Sequence, residues 1–87
     1  MKIYYINCRK IDNIGDFYKI LGKKLDFPEY FGNNLDALHD VLTERREPTK
    51  IRLWGFDRFA KKLGEKGECL REVLKAAQEE NPKLNIK

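Results

Sequence analysis

A chain of 87 residues with 41% hydrophobic and 11% aromatic side chains suits one globular domain with a modest core, and excludes a disordered polymer. No apolar run approaches a membrane span, and Met1 leads into Lys2–Ile6 without the apolar core of a signal peptide, so a cytoplasmic protein with reduced thiols at Cys8 and Cys69 is expected. The formal net charge of +4 makes nucleic acid a partner class to be weighed.

Lys2–Asn7 is a short run of β-branched and aromatic residues and predicts a first strand, apolar on both faces. Asn13, followed by Asp16, predicts a helix start. Ile14, Phe17, Ile20, Leu21 and Leu25 then recur at helical spacing until Pro28 stops the helix. Gly32 permits a turn, Asn33 or Asn34 can cap, and a second helix runs to about Glu44. Glu47-Pro48-Thr49 breaks the chain before a second strand, Ile51–Trp54, whose Trp54 is expected in the core or packed at an edge. Gly55 opens a short helix with Phe56, Phe59, Ala60 and Leu63 on one face. Gly64 to Gly67 reads as a turn, and Leu70, Val73, Leu74 and Ala77 define a last helix ending near Asn81-Pro82. Leu84–Ile86 is a third, terminal strand. The order β-α-α-β-α-α-β separates the strands by long, mostly helical segments, which favours right-handed crossovers. An α/β fold follows, a three-stranded parallel sheet packed with four helices.

Charge is distributed unevenly along this chain. The window Leu25–Glu44 holds Asp26, Glu29, Asp36, Asp40 and Glu44 and no Lys or Arg, a local charge of −5 against +9 for the remaining residues. Such a reversal suits docking to a basic partner, since complementary potentials steer encounter and fix register. On the second helix, Leu35, Leu38, Val41 and Leu42 form an apolar stripe, opposite Asp36, His39, Asp40, Thr43 and Glu44. Asp36 and Asp40 are an i,i+4 pair of like charge, unfavourable by a few tenths of ~1 kcal/mol in an isolated helix. The helix N-terminus relieves Asp36 but does little for Asp40. Upstream, Tyr30 and Phe31 adjoin the helix start; one can enter the core while the other lies beside the carboxylates, the composition of an interface hot spot.

The run Pro28-Glu29-Tyr30-Phe31-Gly32, then Asn34-Leu35-Asp36-Ala37-Leu38 and Asp40, resembles the signature of the barstar family, intracellular inhibitors of secreted ribonucleases, and the resemblance spans nearly the whole chain. It implies a single barstar-like domain over residues 1–87, monomeric when free, that forms a one-to-one complex with a basic, barnase-like ribonuclease. No cofactor, bound metal or catalysis of its own is implied. By that resemblance Asp40 is the principal mimic of an RNA phosphate and Asp36 a second anion. Tyr30 packs on the enzyme's active-site groups, Gly32 allows close approach, and Asn34, Leu35 and Thr43 add contacts, with His39 and Glu44 on the same face. The chain departs from the pattern in its overall positive charge, in His39 and Arg45 where the known inhibitor has Trp, and in Ala76 where it has a contacting Glu. A partner less basic than barnase, or one whose acidic rim meets Arg45 and Arg46, would fit these departures.

Two other classes compete. Asp36, His39 and Asp40 share one helical face and could in principle form a metal or acid/base cluster, but no second ligand cluster or catalytic motif accompanies them. Lys23-Lys24, Arg45-Arg46, Arg52, Arg58 and Lys61-Lys62 could give weak, salt-sensitive affinity for nucleic acid. Strong binding is not expected, least of all through the acidic helix.

Overall fold

In the computed structural model, which describes residues 2–87, the predicted segments become three strands and four helices. The strands are β1 (Lys2–Asn7), β2 (Thr49–Trp54) and β3 (Leu84–Ile86). The helices are α1 (Ile14–Leu25), α2 (Leu35–Thr43), α3 (Phe56–Leu63) and α4 (Glu65–Glu80). The strands pair in parallel in the order β1-β2-β3, with Tyr4 opposite Ile51 and Ile51 opposite Ile86. Each α-α segment is therefore a crossover, as the spacing predicts. A 3₁₀ turn at Cys8–Lys10, too short to have a period, carries the chain out of β1.

Both crossovers step across the sheet in the same direction. A common right-handed sense then puts all four helices on one face. Alternation along the strands agrees: Ile6, Thr49, Ile51 and Leu84 are buried beneath the helices, while Ile3, Tyr5 and Trp54 are exposed on the other side. Two expectations change here. β1 is apolar on both faces, as predicted, but only one of them is covered. Trp54 lies outside the core on the bare face, because strand alternation sets its side opposite to that of Leu53.

The core lies between the sheet and the helices. Phe17 of α1 stacks on Phe59 of α3 with ring centroids 5.6 Å apart, and Leu21, Leu38, Leu42 and Leu70 fill the space around them. Asn13 caps α1 by accepting from the Asp16 N–H at 2.8 Å. The predicted turn Gly64–Gly67 shrinks to one residue, Gly64, with φ of 68°. Gly67 belongs to α4, and a Cβ there would lie 1.9 Å from the Ala60 carbonyl oxygen, so its bare backbone is what lets α4 close on α3. The two cysteines part company. Cys8 is buried, which pushes its thiol up to about 11, whereas Cys69 is exposed on α4. Among the described residues no helix is long and apolar enough to cross a membrane.

Candidate functional site

The acidic window folds into a tight turn and the helix it launches. The Phe31 N–H donates to the Pro28 carbonyl at 2.9 Å, and the two aromatics diverge from that turn. Phe31 turns inward onto Phe27 (5.0 Å) and Tyr18 (6.1 Å), while Tyr30 is 84% exposed. Asn34 is the N-cap of α2. Its Oδ1 accepts from the Ala37 N–H at 2.8 Å, and its Nδ2 donates to the Gly32 carbonyl at 3.2 Å. A side chain at Gly32 would meet that amide nitrogen at 2.9 Å, so the glycine makes room for the cap. Asn33, in the left-handed region at φ 49°, completes the reversal.

Leu38 and Leu42 bury one side of α2, with Leu35, Ala37 and Val41 half-buried at its margins. Asp36, Asp40 and Glu44 are exposed on the other side, where Asp40 keeps 73% of its side-chain surface. Among the described residues no Lys or Arg comes within 4.0 Å of any of these three carboxylates. Lys66, across a shallow surface hollow shared with Asp36 and Leu35, is a neighbouring cation. Thr43 turns its hydroxyl back to its own helix, donating to the His39 carbonyl at 2.9 Å. Tyr30, Gly32, Asn34, Leu35, Asp36, His39, Asp40, Thr43 and Glu44 thus lie on one turn-and-helix unit. Asn34 and Thr43 spend their polar groups inside it.

His39 departs from a solvated position. Its Nε2 is hydrogen-bonded to Glu80, the last residue of α4, and its Nδ1 lies 3.8 Å from Asp40. The bond to Glu80 is the main cause of a raised His39 pKa, helped by the Asp40 charge and opposed by partial burial. Asp36, His39 and Asp40 accordingly do not converge as a metal cluster; the ring points to a different helix. Glu80 was not legible as part of this face. It follows Glu79 at the polar end of a helix 41 residues further along the chain, and only the packing of α2 on α4 brings it there.

The face is held rigidly from below. Buried Asn81, the C-cap of α4, donates through Nδ2 to the Leu42 carbonyl at 2.8 Å and the Arg45 carbonyl at 2.9 Å. A carbonyl in the last turn of α2 and one just beyond it thereby gain a side-chain donor, and the Leu42 carbonyl also accepts from the Arg45 N–H at 3.4 Å. Arg45 donates to Thr49 Oγ1 (2.6 Å), to the Leu25 carbonyl (3.0 Å) and to the Tyr4 hydroxyl (3.4 Å). The guanidinium named for a partner's acidic rim thus ties the end of α2 to α1, β1 and β2 within the chain. Arg46, beside it, is exposed.

The sequence profile of the family described as "Barstar (barnase inhibitor)" matches residues 1–86. The protein named "Putative ribonuclease inhibitor YrdF" of Bacillus subtilis (strain 168) is 40% identical over 81 residues, covering 92% of this chain and 89% of its own length. With the β-α-α-β-α-α-β order and the turn-and-helix motif in place, these matches settle the lineage: the chain belongs to the barstar family.

Proposed function

We propose that this chain inhibits a basic, barnase-like ribonuclease by forming a one-to-one complex in which α2 and the preceding turn plug the enzyme's active site. The observation that carries this reading is a pair of exposed carboxylates one helical turn apart, Asp36 and Asp40, with no Lys or Arg paired to them among the described residues. A ribonuclease cleft must present cations to RNA phosphates, and carboxylates fixed on a rigid helix can take the phosphates' places through charge-assisted bonds, bidentate where the cation is Arg. In this arrangement Asp40 is the principal phosphate mimic and Asp36 the second anion. Tyr30 is the aromatic anchor beside them, Leu35 adds apolar contact, and Glu44 and Glu80 extend the negative surface. Asn34 and Gly32 shape the turn, and Thr43 braces the helix backbone. The family's inhibitory character and the relative's name support the same reading. The chain supplies no catalysis, only occlusion.

The test is RNA cleavage by barnase, and by basic ribonucleases encoded beside this chain, titrated with the purified protein. Stoichiometric loss of cleavage is expected. Asp40→Ala should weaken inhibition by ~2–5 kcal/mol, a range set by charge pairs at other interfaces, that of barnase and barstar included. Undiminished cleavage across the panel at excess protein would instead assign the acidic face to some other basic protein.

A further inference from the structure

The uncovered face of the sheet is unlike the rest of the surface. Parallel sheets ordinarily bury both faces, yet here Ile3, Tyr5 and Trp54 stand 46%, 53% and 54% exposed on the side away from the helices. Cations are set among them. Ile3 is level with Lys50 and Tyr5 with Arg52, and the Tyr5 and Trp54 rings lie 6.0 Å apart, tilted by 55°. Arg9 borders the same end, its side chain packed over Gly55 and its Nε donating to Asn7 Oδ1. The three strands contain no Asp or Glu, and among the described residues Arg9, Lys50 and Arg52 have no carboxylate within 4.0 Å.

We propose that this bare face binds single-stranded nucleic acid, at a site separate from the acidic helix. A second copy of the chain stacked face to face would bring Lys50 and Arg52 against their own counterparts, which like-charge repulsion opposes. A polyanion with flat bases satisfies both features at once: phosphates meet Lys50, Arg52 and Arg9, and unstacked bases lie on Tyr5 and Trp54. A duplex keeps its bases stacked and offers the rings nothing. The carboxylates of α2 lie on the far side of the sheet from this surface and do not repel the ligand locally. With three cations the affinity is modest and salt-sensitive, with a log–log salt slope near −2 at about 0.7 per phosphate neutralised.

Anisotropy of a labelled oligouridylate of about 12 nucleotides, titrated with the full chain at about 50 mM salt, tests this. Saturable binding is expected. Trp54→Ala and Tyr5→Ala should each weaken it about tenfold, and Lys50→Gln with Arg52→Gln should cut the salt slope to about −0.7. Asp40→Ala should leave binding unchanged. Thermal melts check that each variant is folded, and the double charge variant keeps the test standing if an aromatic variant is not. The proposal is overturned by absence of saturable binding, by equal affinity for duplex, or by indifference to the Trp54 and Arg52 changes. It is also overturned if polyglutamate binds as tightly as the oligonucleotide, or if Trp54→Ala acts by abolishing a dimer. Ribonuclease inhibition is read separately, so either proposal can fail alone.

Discussion

His39 sits between two carboxylates, Glu80 from α4 and Asp40 from its own helix, and is 32% exposed. The charged form of the ring is favoured by both, which raises its pKa above the ordinary 6.5. A raised pKa means that the stabilisation from the His39–Glu80 pair is fully present below 6.5 and is lost as pH climbs through the folded-state value. Partial exposure keeps that contribution small, within ~1 kcal/mol. The effect on the proposed complex has the opposite sign. Protonation adds a positive charge to the surface meant for a basic partner and competes for Glu80 and Asp40, so inhibition should weaken as pH falls through the raised pKa of His39. His39→Gln should flatten that profile, seen by comparing inhibition constants of both proteins across pH; an unchanged slope would remove His39 from the account. The residue types here were legible from spacing in α2, since i, i+3 and i+4 share a face. Glu80 was not, because no local pattern joins the end of α4 to the middle of α2.

At the scale of elements, α2 owes its formation to local signals and its position to distant ones. Its apolar stripe and its cap, narrowed to Asn33 or Asn34, are written within a dozen residues, as are the Asn13 cap and the Pro28 stop of α1, and those parts of the fold were legible. Asn81 read only as a helix stop beside Pro82, yet it bridges the carbonyls of Leu42 and Arg45 where the chain leaves α2. Asn81→Ala would remove the side-chain donor of the Arg45 carbonyl and leave the Leu42 carbonyl with only the long bond from the Arg45 N–H, so a loss of roughly 1–3 kcal/mol in urea unfolding is expected, with cleavage inhibition retained by the folded fraction. Gly67 read as part of a turn, since glycine signals a turn and a close helix contact alike. In the fold it is the contact. Gly67→Ala would force α3 and α4 apart at the Ala60 carbonyl and should cost at least ~1–3 kcal/mol by the same measurement. A stability equal to the parent's would show that the two helices have slack the packing does not display.

For the whole molecule, parallel pairing was legible from crossover lengths, but neither the strand order nor the one-sided sheet was read out of them. It follows from two crossovers in one direction, and its consequence is a surface divided by charge: a basic, aromatic sheet face and an acidic helix face on opposite layers. The net +4 then works against the proposed complex at long range and the acidic face works for it at short range. Screening separates these effects, because beyond about 10 Å at ~0.1 M salt the global charge is largely hidden. Arg58 and Lys61 are exposed cations of α3, which carries none of the site residues. Reversing both to Glu takes the formal net charge from +4 to zero without touching α2. Association with a basic ribonuclease should then quicken several-fold at low salt, with dissociation unchanged, and the two proteins should converge as salt is added. Stopped-flow association rates over a salt series measure this directly. If the reversed-charge protein associates no faster at low salt, the acidic face alone governs encounter, and the chain's positive remainder is neutral toward its partner.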